Sequence, residues 1–145
     1  MDDQIERHAS CRRRLPPFPP RQTARTRLGA GGERRAASCL ETHGYRLLAR
    51  NWHAAFGELD LIAEDGPEQV FVFVEVKTRR GDRLGNPGEA ITPSKRRKLM
   101  LAAQTFLAEQ NAEQRPNRFD VVAIELDPPG KVSAVRLHRR AIAEE

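Results

Sequence analysis

The sequence predicts an α/β fold, a mixed sheet of about five strands flanked by helices in the order αβββαββ. Two segments carry apolar residues at helical spacing, three strand-like segments lie between them, and two more follow the second. Such a mixture packs as helices against a sheet around one core.

The elements follow in chain order. "LGAGGERRAASCLETHGY" brings Ala36, Ala37 and Leu40 to one helical face, and Gly44 supplies the left-handed residue that ends a helix. "YRLLARN", "GELDLIA" and "VFVFVEVK" then read as an antiparallel meander, with turn signals at Asp65-Gly66-Pro67 and from Gly81 to Gly88. In "TPSKRRKLMLAAQTFLAEQ", Thr92 is placed to cap a helix whose first residue is Pro93. Leu99, Ala102, Ala103, Phe106 and Leu107 form its apolar stripe. "RFDVVAIEL" reads as a strand buried on both faces, and "VSAVRLHRR" as an edge strand.

A chain of 145 residues suffices for one domain with a real core. Residues 1–27 hold four of the ten prolines and almost no apolar periodicity, so they are expected to be a disordered basic tail before a domain at 28–145. Its prolines and its acids Asp2, Asp3 and Glu6 argue against a targeting helix. No apolar run reaches membrane-spanning length, so no membrane association and a cytoplasmic location are expected. Cys11 and Cys39 are too few for a disulfide framework, and the four histidines match no zinc spacing. The net charge of +5 belongs mostly to the tail, because residues 28–145 hold 18 Lys and Arg against 17 Asp and Glu. Within that body, however, Lys77, Arg79, Arg80, Arg83 and Lys95 to Lys98 cluster in sequence, a pattern suited to a polyanion.

The chemistry concentrates in the third strand. Side chains two apart share a face, so Glu75 and Lys77 point with Phe71 and Phe73, opposite the valines at 70, 72, 74 and 76. Buried charges are unfavourable unless something compensates them. In the preceding strand Glu58 and Asp60 are expected on one face, with Leu59, Leu61 and Ala63 on the other. On the first helix Glu33 lies on the buried stripe of Ala36, Ala37 and Leu40. Taken singly, these charges read as an ordinary cross-strand ion pair of Asp60 with Glu75 and Lys77. Their recurrence on three elements favours a shared site, in which Glu33, Asp60 and Glu75 hold Mg²⁺ or Mn²⁺ through oxygen ligands. Lys77 would then stabilise charge at a phosphate, and the basic cluster would hold a phosphodiester backbone.

The segments "GGERRAASCLETHGYRLLARNW", "GELDLIAED", "VFVFVEVKTR" and "RFDVVAIEL" resemble the bacterial YraN-like family of uncharacterised proteins over residues 28 to about 140. That family is similar to the restriction-endonuclease-like PD-(D/E)XK superfamily, near the archaeal Holliday-junction resolvases. The resemblance implies a restriction-endonuclease-like core and a metal-dependent endonuclease acting on DNA, with branched or damaged DNA as substrates. It makes Asp60 the motif aspartate, Glu75 the second acid, Lys77 the motif lysine and Glu33 the helix-borne acid, and it implies a homodimer. Arg79, Arg80, Arg83 and Lys95 are the expected nucleic-acid contacts. Leu59 replaces the motif proline, and Glu58 has no role in the pattern. Gly57 is expected to allow a close backbone approach at the rim of the site. A non-catalytic nucleic-acid-binding module on the same fold is the alternative, and an assembly factor without either property is a third reading.

Overall fold

The structure, a computed structural model, describes residues 27–55, 57–66, 69–80 and 91–142, with side chains from residue 32 onward. The tail expected over 1–27 lies outside these residues except for Arg27, and so do the turn signals from Gly81 to Gly88 and the expected contact Arg83.

The described elements are helix α1 (Arg27–Thr42), strands β1 (Tyr45–Ala54), β2 (Gly57–Asp65) and β3 (Val70–Arg80), helix α2 (Pro93–Glu109), and strands β4 (Asn117–Leu126) and β5 (Val132–His138). The αβββαββ order is therefore the one expected from the sequence. One sheet runs β1-β2-β3-β4-β5. β3 and β4 are parallel and every other neighbouring pair is antiparallel. The parallel pair needs a crossover, which α2 supplies. Among the described residues no helix is long and apolar enough to cross a membrane.

Local chemistry sets the helix ends. Gly44 has φ +84°, and the Gly44 amide donates to Glu41 O, closing α1. At α2 the Lys95 amide donates to Thr92 Oγ1 at 3.2 Å, with Pro93 opening the helix.

Two cores form, one on each face of the sheet. Leu99, Ala102, Ala103, Phe106 and Leu107 of α2 pack against Phe71, Phe73, Trp52 and Phe119. Phe106 is the hub, meeting the rings of Trp52, Phe71 and Phe73 edge-on at 5.6, 5.8 and 5.9 Å. On the other face Ala36 and Leu40 of α1 join Val72, Val74, Leu61, Ala63, Val122 and Ile124. Strand alternation in β3 thus sorts phenylalanines toward α2 and valines toward α1.

The alternation expected for β2 fails at one point. Leu59 packs in the α2-side core with Trp52, whereas Leu61 and Ala63 lie in the α1-side core. The partner strand explains the change. β1 has a register shift between Leu47 and Ala49, and Asn51 adopts φ +49° in the left-handed region. Ala49 and Trp52, three residues apart, consequently reach the same core, and Leu59 follows Trp52 across the Trp52↔Leu59 pair.

Candidate functional site

The β2–β3 pairing runs from Asp65↔Val70 to Leu61↔Val74 and stops. Beyond Val74, β3 continues to Arg80 paired only with β4. The edge of β3 at residues 75–77 thus has no ladder partner in β2. Asp60 substitutes for one: the Val76 amide donates to Asp60 Oδ2 at 2.9 Å. A carboxylate here satisfies a backbone donor that would otherwise be left in a buried place.

Glu75 sits beside this junction, 7% exposed. Burial pushes its carboxyl up to about 7, the negative charge of Asp60 and a hydrogen bond between the two carboxyls act in the same direction, and Lys95 and Lys77 oppose the shift. Lys95 Nζ stands 3.8 Å from Glu75 Oε1, whereas Glu75 Oε2 is buried with no hydrogen-bond partner. The Glu75 carboxyl is therefore readily protonated around neutral pH.

α2 reaches this rim because of Gly57. A Cβ built on Gly57 would lie 2.7 Å from Lys98 O, so only glycine lets the first turns of the helix settle here. The close approach expected of Gly57 is thus present, and the backbone it admits belongs to α2. His53, Ala54, Gly57, Glu58, Lys95 and Lys98 line a hollow beside the acids. Within it His53 Nδ1 lies 3.3 Å from Glu58 Oε2, which gives Glu58 a partner that its sequence pattern did not indicate.

The sequence-nominated residues are brought together unequally. Asp60, Glu75, Lys77 and Lys95 act on one another. Glu33, 6% exposed, approaches from α1 and accepts from Asn51 Nδ2 at 2.8 Å. Among the described residues no set of three His, Cys, Asp or Glu side chains is gathered to hold a metal ion. Arg79 is half-buried and close enough to His138 to hold that imidazole below its usual range, after desolvation by burial. Arg80 is exposed and, one residue on, points to the opposite face.

Asn51 and His53 escaped the sequence reading. The signal for Asn51 was weak: asparagine tolerates the left-handed region, but within "YRLLARNW" it reads as the end of a strand.

A mixed five-stranded sheet between two helices, with two interacting acids at an unpaired strand edge, defines the class: an α/β protein with a carboxylate-pair site. The profile of the Uncharacterised protein family UPF0102 matches residues 32–124, and the chain belongs to that family. It is similar to the UPF0102 protein of Symbiobacterium thermophilum, with 52% identity over 106 residues covering 73% of this chain and 88% of the relative. The UPF0102 protein of Syntrophus aciditrophicus is 43% identical over 110 residues, covering 76% and 85%. That of Caldicellulosiruptor saccharolyticus is 41% identical over 114 residues, covering 79% and 95%.

Proposed function

We propose that this chain is a divalent-metal-dependent endonuclease that hydrolyses phosphodiester bonds in DNA. The observation that carries the reading is the Asp60–Glu75 couple at the open edge of β3, with Glu75 Oε2 buried and unpartnered. Two carboxylates and one orphaned oxygen fit Mg²⁺ or Mn²⁺, because such ions take one or two protein carboxylates and keep the rest of their shell for water and phosphate oxygens. Bound there, the ion supplies Lewis-acid stabilisation of a phosphate and lowers the pKa of water.

The chain's own residues supply the remainder. Asp60 is held by the Val76 amide and so fixes the distance between β2 and the edge of β3. The charges of Lys77 and Lys95 both favour ionised Glu75, partly offsetting burial and Asp60. The same ammonium groups can stabilise negative charge on a phosphate entering the hollow. Arg80 and the exposed basic residues of the first turns of α2 offer sequence-independent contacts to the backbone of DNA.

The test is Mg²⁺-dependent cleavage of plasmid, flap and four-way-junction DNA, with Glu75→Ala and Lys77→Ala as controls. Each substitution is expected to lower the rate by roughly 100-fold or more. Equal trace activity in wild type and both variants would remove the enzyme from the reading. A non-catalytic nucleic-acid-binding module is the second reading, supported by the exposed basic residues Arg80, Arg97 and Lys98. It predicts salt-sensitive DNA binding without cleavage.

A further inference from the structure

The charges that act on Glu75 are those of Asp60, Lys95 and Lys77. Glu33 accepts from Asn51 Nδ2 through Oε2 at 2.8 Å. Asn51 lies between the Arg50↔Leu61 and Trp52↔Leu59 pairs, hence across from Asp60. Asp60 in turn acts on Glu75 just past the point where the β2–β3 pairing ends. Asn51 and Glu75 each present a buried oxygen without a partner, Asn51 Oδ1 and Glu75 Oε2. Orphaned buried acceptors are costly, and Asp60 is the residue that both strands bring these two toward.

A direct ion contact can satisfy the orphaned oxygen of Glu75. The amide oxygen across β2 calls for a hydrogen-bond donor, and a hydrated divalent ion brings donors with it. Asparagine suits this position twice over: its side chain tolerates φ +49°, and its amide offers a donor to Glu33 and an acceptor to water.

We propose that Asn51 is a positioning residue that ties Glu33 to the rim, so that Glu33 and Asn51 Oδ1 serve the site by hydrogen bonds to the ion's hydration shell. Glu33 is then not a direct ligand, and Asp60 and Glu75 are the inner pair. This rests on the cation-site part of the nuclease reading, but not on turnover.

The experiment is calorimetric titration of Mn²⁺ into the full-length chain, with circular dichroism and melting curves to confirm folding. Asp60→Asn and Glu75→Gln should abolish detectable binding. Glu33→Gln and Asn51→Gly should each weaken it roughly 10-fold, as loss of outer hydrogen-bonding partners does. Combining those two should cost little more than either alone. Glycine keeps the positive φ, so Asn51→Gly tests the amide rather than the backbone. Asn51→Asp alone should weaken binding by placing two carboxylates together, and adding Glu33→Gln should recover part of the affinity, because the amide then donates from the other side.

Loss at Glu33→Gln as complete as at Asp60→Asn would overturn the assignment in favour of direct ligation. Unchanged affinity in Asn51→Gly, or no Mn²⁺ binding by the wild type, would overturn it as well. Binding with this pattern but no DNA cleavage would leave the inference standing and remove the nuclease.

Discussion

Among the described residues two polar clusters interrupt the apolar interior, and they are built on opposite rules. In the cluster around Tyr45, Asp120 has no exposure at all, yet its carboxylate accepts from Tyr45 Oη at 3.1 Å, Arg118 Nε at 3.1 Å and the Arg140 amide at 2.9 Å. Arg118 also reaches Tyr45 Oη at 2.6 Å and Asp65 Oδ2 at 3.0 Å. Nearby Glu64 is held by Arg46 and Arg115. At the other cluster Glu75 has one ammonium at 3.8 Å and an oxygen with nothing to accept from. The two acids are alike in burial and differ in how fully their oxygens are satisfied.

Substitutions that break this contrast should do so in opposite directions. Asp120→Ala leaves Arg118 and Tyr45 without their common partner, and urea unfolding should show a loss of about 3–5 kcal/mol. Glu75→Gln should stabilise the metal-free protein. The Glu75 carboxyl is raised from 4.5 to about 7, so between those values the folded chain binds more protons than the unfolded one. The stabilisation this gives is complete below about pH 4.5 and is lost as pH rises through about 7. A neutral amide does not ionise, so at pH 8 in chelator the variant should exceed wild type by on the order of 3 kcal/mol, narrowing to under about 1 kcal/mol at pH 5. If the variant is instead destabilised at pH 8, Glu75 belongs with Asp120.

Smaller effects sharpen the comparison. Gly57→Ala forces α2 away from the rim and should cost about 1–3 kcal/mol in a thermal melt, together with weaker Mn²⁺ binding, since Lys95 moves with the helix. Arg46→Ala removes a half-exposed partner of Glu64, whose other partner Arg115 remains. Its effect on unfolding should stay within about 0.5 kcal/mol.

The legibility of the sequence follows the range of the interactions. The α2 stripe, its Thr92 cap and the two faces of β3 depend on residues within a few positions of one another, and all were readable. Lys95 could be placed toward the acids because it starts that stripe. The re-phasing at Asn51 was not readable, because a left-handed residue within a strand leaves almost the same pattern as a strand end. Asp120 was passed over inside an apolar run, since its phenol partner is 75 residues away. For Glu33 the helical stripe shows that the side chain points inward, as it does, but not that Asn51 of β1 meets it.

The unpaired edge of β3 has a bearing on solubility as well as on chemistry. A strand that continues past its neighbour offers free backbone groups to any passing chain, and natural sheets protect such edges with inward-pointing charges. Asp60 occupies the Val76 amide, and Glu75 and Lys77 follow on the same stretch. The residues proposed to cut DNA thus double as gatekeepers against edge-to-edge association, so stripping the site of its charges to make an inert variant would also open a seam for self-assembly.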